Sequence, residues 1–128
     1  MDSSVKLFLG IGSVGLIAIG IFAFFLVKAG NAPGKYDQFA ACLSEKGATF
    51  YGAFWCPHCQ KVKAQFGNSM KKIKYVECST QDGKGQLPVC KDKKIEGYPT
   101  WIFADDTREV GEVPFETLAT KTGCVLPQ

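Results

Sequence analysis

Leu7 to Val27 reads LFLGIGSVGLIAIGIFAFFLV, a run of 21 residues without a charge. A helix needs about 20 apolar residues to cross a hydrocarbon core roughly 30 Å thick, so the run predicts a single N-terminal transmembrane helix over 7–27. A buried core helix is the poorer reading, because four glycines and no polar face suit lipid better than a packed soluble core. A cleaved secretory signal is the other competitor. Its apolar stretch is typically about 7–15 residues; this one is longer, and Pro33 directly follows the best small-residue site at Gly30 and Ala32. The run divides the chain into a short tail (1–6), the span (7–27), a Gly/Pro/Asn linker KAGNAPGK (28–35) and one domain (36–128). Lys6 lies on one side of the span and Lys28 and Lys35 on the other, so charge alone leaves the orientation open.

The 128 residues leave room for one small domain beyond the span. From Lys35 onward 13 basic residues meet 11 acidic ones, which is no footprint for nucleic acid, and ten Phe, four Tyr and two Trp in the chain supply apolar surface for a core. Tyr36, Phe39, Ala40 and Leu43 form a helical stripe that Gly47 can end. Thr49–Trp55 is a continuous apolar run, as in a parallel central strand covered on both faces. Pro57 then opens a helix in which Val62 and Phe66 lie one turn apart, with Gly67 as its stop. Ile73–Cys78 reads as a strand, Gln86–Ile95 as a short Lys-rich helix, and Thr100–Ala104 as a strand. Asp105–Asp106 turns the chain into Thr107–Glu112 as a hairpin partner, and Pro114–Gly123 closes the domain as a helix. The domain order αβαβαββα makes this an α/β chain.

Cys56, Pro57, His58 and Cys59 stand at the strand-to-helix junction. There the unpaired backbone N–H groups and the positive end of the helix dipole favour a thiolate, so Cys56 is expected to be the acidic, exposed nucleophile. Cys59, one turn in, lies deeper and can resolve a mixed disulfide on Cys56. His58, positively charged or donating a hydrogen bond, would further stabilise the Cys56 thiolate.

WCPHC after an apolar strand, followed some forty residues later by Gly97-Tyr98-Pro99-Thr100, resembles the thioredoxin superfamily over most of Tyr36–Gly123. The resemblance implies a thioredoxin-like fold, here a central mixed sheet of about four strands flanked by helices. It also implies a cis Pro99 beside the cysteines and a Tyr98 backbone that pairs with a client strand. Trp55 and Tyr98 would frame that client groove. Pro57-His58 between the cysteines is similar to the oxidising DsbA type, whose potential is roughly −120 mV against roughly −270 mV for thioredoxin. FYGAFWCPHCQKVKAQFG, YVECS and GYPTWIF further resemble the thioredoxin-like domain fused to, or partnering, bacterial vitamin K epoxide reductase homologues. That family implies a relay in which the domain oxidises secreted clients and a quinone-linked membrane partner reoxidises it. One span cannot build the quinone-reducing helices, so such a partner would be a separate chain. The buried carboxylate that many thioredoxins carry six residues before the first cysteine is Phe50 here.

Cys78 and Cys90 bracket STQDGKGQLPV, and a bridge there would staple the loop; a second redox pair exchanging with Cys56–Cys59 is the alternative. Cys42 and Cys124 occupy positions that such a fold can bring together, as a second staple or as two buried thiols. A zinc site is disfavoured, because the second cysteine pair is spaced by eleven residues, where zinc motifs use about two to four. Six cysteines in a small domain point to an oxidising compartment, which sets the amino terminus inside and the domain outside a bacterial or archaeal cytoplasmic membrane. Lys61, Lys63, Lys71, Lys72 and Lys74 read as a solvated face, and Trp101 and Phe103 as core positions.

The reading is a membrane-anchored, monomeric thiol–disulfide oxidoreductase that needs no bound cofactor beyond a redox-active Cys56–Cys59 disulfide. Its partners would be secreted cysteine-containing clients and a membrane redox protein. The alternatives are an extracytoplasmic reductase of a specific client such as an apocytochrome, and a redox-inert, disulfide-stapled binding module.

Overall fold

The computed structural model describes residues 3–30 and 32–128, with side chains at 15–28 and 32–128. It divides into two compact units, Met1–Ala32 and Pro33–Gln128. The first contains one helix, α1 (Ser3–Gly30). Among the described residues no helix is long and apolar enough to cross a membrane. The described side chains of α1, at 15–28, are fewer than the ~20 that a span needs, and the first part of the predicted span, 7–14, lies outside them.

The second unit is built on a four-stranded sheet in the order β2-β1-β3-β4, with β1 (Thr49–Gly52) parallel to β2 (Tyr75–Glu77). Strand β3 (Thr100–Ile102) runs antiparallel to β1, and β4 (Arg108–Val110) antiparallel to β3. Strand periodicity sends alternate residues to opposite faces. Phe50 therefore pairs with Trp101 on one face, their rings 4.9 Å apart, while Tyr51 and Ile102 belong to a second cluster on the other.

Helices α2 (Asp37–Glu45), α3 (Pro57–Phe66) and α5 (Phe115–Thr122) cover the first face through Phe39, Leu43, Val62, Phe66 and Leu118. Phe66 meets Phe115 at 4.4 Å between ring centroids, in a tilted geometry that favours aromatic contact. Helix α4 (Pro88–Asp92) covers the second face, where Cys78, Cys90 and Ile95 pack with Tyr51 and Ile102.

Two expectations need correction. The apolar run Thr49–Trp55 is not one strand: β1 ends at Gly52, and Phe54 and Trp55 are 45% and 50% exposed. Pairing to β2 sets the end, because Cys78 N–H donates to the Gly52 carbonyl and the chains then part. The helix predicted over Gln86–Ile95 is reduced to α4, since Gln86 is held in a bridge to Ser79 and Lys94 takes a left-handed φ of 53°. Beyond Gly67, which ends α3 at φ 55°, the chain continues as a 3-10 turn over Gly67–Lys72 that the sequence pattern did not reveal.

Candidate active site

Helix α3 places both cysteines of the C-x-x-C pair. Cys56 is its N-cap, in extended backbone geometry with φ −75° and ψ 120°, and its carbonyl accepts the first helical bond from Gln60 N–H. Pro57 fits the first helical position, where a missing N–H leaves no bond unmade. The inward stripe of α3 is Cys59, Val62 and Phe66. Cys56 and Cys59 are both free thiols.

Cys59 is fully buried, as its position one turn in implies. Cys56 is only 5% exposed, which corrects the expectation of an exposed nucleophile. Its sulfur lies 3.7 Å from the Tyr98 carbonyl oxygen, on the segment carrying the cis Tyr98–Pro99 bond, and this segment lies against it. Pro99 is itself fully buried, and its carbonyl accepts from Gly111 N–H at 2.8 Å, which ties the end of β4 to the site. Burial pushes the Cys59 thiol up to about 12, against a smaller lowering by the hydrogen bond to the Ala53 backbone. The pair can carry thiol–disulfide exchange, with a thiol near the surface and a protonated one beneath it.

The His58 ring is directed to a carboxylate: Nδ1 lies 2.7 Å from Glu112 Oε1. Lys61 Nζ meets the other oxygen of Glu112 at 2.6 Å. The two partners hold the Glu112 carboxyl below its ordinary value, the His58 hydrogen bond being the larger cause. Glu112 was not singled out in the sequence. It lies 54 positions from His58, and nothing local to either residue marks the pairing.

Trp55 and Tyr98 meet edge to face, with centroids 6.0 Å apart and planes at 79°. Each has its polar end fixed: Trp55 Nε1 donates to Ser79 Oγ at 2.7 Å, and Gln86 Nε2 donates to Tyr98 Oη at 2.7 Å. Ser79 and Gln86 both belong to the loop closed by the Cys78–Cys90 disulfide. That staple therefore braces the two aromatic groups beside the thiols. The second disulfide, Cys42–Cys124, joins α2 to the chain just past α5, on the side of the core formed by Phe39, Leu43 and Leu118. Among the described residues no three or more His, Cys, Asp or Glu side chains converge as metal ligands.

The profile of the thioredoxin family matches residues 35–121. The thiol-disulfide oxidoreductase LTO1 of Arabidopsis thaliana is 43% identical over 110 residues, covering 82% of this chain and 29% of that protein. The thioredoxin domain-containing protein 5 homolog of Drosophila melanogaster is 35% identical over 85 residues, covering 57% of this chain and 20% of that protein. The chain thus spans less than a third of either relative.

Proposed function

Because the chain belongs to the thioredoxin family, we propose that it is a thiol–disulfide oxidoreductase acting through Cys56 and Cys59. The observation that carries this is the pair of free thiols at the start of α3, with Cys56 against the Tyr98 carbonyl and Cys59 buried one turn below. Working as an oxidant, the disulfide form is attacked at Cys56 Sγ by a client thiolate. The Cys56–Cys59 bond breaks, and its electron pair leaves on Cys59. A second client thiolate then displaces Cys56, and the client leaves oxidised by two electrons. Trp55 and Tyr98 form the client surface, with Pro99 buried beneath them, and the stapled loop holds the geometry of the two aromatic groups.

The oxidising direction rests on the Pro57-His58 dipeptide and its similarity to the DsbA type. The similarity to thioredoxin-like domains that serve vitamin K epoxide reductase homologues supports a relay in which a separate, quinone-linked membrane protein reoxidises the Cys56–Cys59 dithiol. Membrane anchoring rests on the uncharged sequence Leu7–Val27 and on α1, where Leu16, Ile17, Ile19, Phe22 and Phe25 stand exposed all round the helix. With two disulfides already formed, the domain belongs on the oxidising side, amino terminus inside.

The test is turnover on a reduced model peptide bearing two cysteines, supplied with an external oxidant. Cys56→Ala should abolish oxidation, and Cys59→Ala, which cannot form the Cys56–Cys59 disulfide that the peptide attacks, should abolish it as well. Full activity in Cys56→Ala would overturn the assignment and leave a binding module.

A further inference from the structure

Cys59 must lose a proton before it can attack a disulfide, yet it is fully buried and burial pushes its thiol up to about 12. A thiol raised this far is almost entirely protonated at neutral pH, so fast chemistry needs a proton acceptor within the protein. Strand β1 supplies none on that side, where it presents Phe50 and Gly52.

Strand β2 does supply one. A methyl group on Gly52 would lie 3.0 Å from Cys59 Sγ and 3.2 Å from the Tyr75 ring edge, so sulfur and ring share the space that this glycine leaves open. Tyr75 Oη donates to Glu77 Oε2 at 2.5 Å. Glu77 Oε1 in turn accepts from Ser79 N–H at 2.9 Å and Phe54 N–H at 3.2 Å, which anchors the carboxylate to the two loops beside the thiols. Lys63 Nζ, from α3, sits 3.9 Å from the centroid of the Tyr75 ring. The titratable groups that act on Cys59 are Cys56, the N-cap of α3, and Lys63 from α3, while Tyr75 from β2 feels Glu77 first and then Cys59 and Cys56.

We propose that Tyr75 and Glu77 form the proton relay of Cys59, with Lys63 as the positioning residue that holds the Tyr75 ring. The inference rests on the Cys56–Cys59 exchange proposed above. The Tyr75 hydroxyl gives its proton to Glu77 Oε2 and takes the Cys59 S–H proton, leaving a thiolate, a neutral phenol and a neutral carboxyl. The thiolate attacks Cys56 Sγ in a mixed disulfide. The Cys56–Cys59 bond forms, the Cys56–client bond breaks, and the electron pair leaves on the client sulfur, which takes up a proton from solvent. Glu77 then releases its proton. In the oxidising direction the same relay returns a proton to Cys59 as it leaves. Burial first, then the Glu77 hydrogen bond, raises the Tyr75 phenol above its ordinary range, so it stays protonated and able to relay.

The experiment mixes the reduced full chain with oxidised glutathione and follows the Cys56 mixed disulfide by rapid acid quench and mass spectrometry between about pH 5 and pH 9. Glu77→Gln keeps an oxygen for Phe54 and Ser79 N–H, and Tyr75→Phe keeps the ring. Each variant should form the mixed disulfide at the parent rate and resolve it at least tenfold more slowly at pH 7. The resolving rate should climb about tenfold per pH unit in the variants, against a flatter profile in the parent. Variants that resolve with the parent profile overturn the relay alone. A parent chain that forms no mixed disulfide overturns the proposed exchange, and the relay with it.

Discussion

Removing the Cys42–Cys124 disulfide should destabilise the domain more than removing Cys78–Cys90, by an amount set by the chain each one closes. The sequence separations are 82 and 12. On the chain-entropy estimate the longer loop contributes about 4.5 kcal/mol and the shorter about 3 kcal/mol, a difference of about 1.5 kcal/mol. Against a total stability of roughly 5–15 kcal/mol, loss of the longer crosslink removes a large share. Urea denaturation of the full chain in mild detergent, read by fluorescence of the fully buried Trp101, measures it. Each double Cys→Ala variant also deletes buried sulfur, more so for Cys78 and Cys90, which are fully buried. Comparing parent and variant again after reduction isolates that packing loss, and subtraction leaves the crosslink. A midpoint shift on the order of 2 M urea is expected for Cys42→Ala/Cys124→Ala. Equal crosslink contributions, or a larger one from Cys78–Cys90, would refute the entropic argument.

Three further outcomes follow from the geometry. Leu118→Ala should cost about 2–5 kcal/mol in the same denaturation experiment, because the side chain is fully buried against the helices of the first face. Gly52→Ala should slow thiol exchange by about tenfold or more while the far-UV circular dichroism stays near that of the parent, since the added methyl would press on Cys59 Sγ at 3.0 Å. Glu112 is held below its ordinary value by His58 and Lys61, so its contribution to stability is present above the ordinary carboxylate range and lost as pH falls through the depressed value. Glu112→Gln should therefore flatten the acid limb of a stability-against-pH curve, and an unchanged limb would show that the ion pairs carry no stability.

The parts of this fold that local pattern encodes are readable in the sequence. The stripe Phe39, Ala40 and Leu43 is the buried face of α2, and the alternation around Trp101 and Ile102 assigns the two faces of β3. Cys56-Pro57-His58-Cys59 marks a helix start because a first-turn proline and an N-cap position are local features. Apolarity alone misplaces the end of β1, since Phe54 and Trp55 are apolar yet half exposed at the site. The missing information is the length of the partner strand β2, a tertiary quantity. The same holds for Glu112, which reaches His58 across 54 positions, and for Tyr75, whose ring comes to the Cys59 side of Gly52 through the parallel pairing of β1 and β2. Residues that share a site through sheet register leave no periodic trace.

The central claim is that Cys56 and Cys59 form the exchanging couple while the other four cysteines are structural. The most direct test is the reduction potential of the full chain equilibrated in glutathione buffers, with mass spectrometry identifying which cysteines change. The account predicts that Cys56–Cys59 alone titrates, near or above about −180 mV, with Cys42–Cys124 and Cys78–Cys90 staying oxidised throughout. A couple near about −270 mV would contradict the oxidising direction, and a Cys56–Cys59 pair that never exchanges would contradict the activity itself.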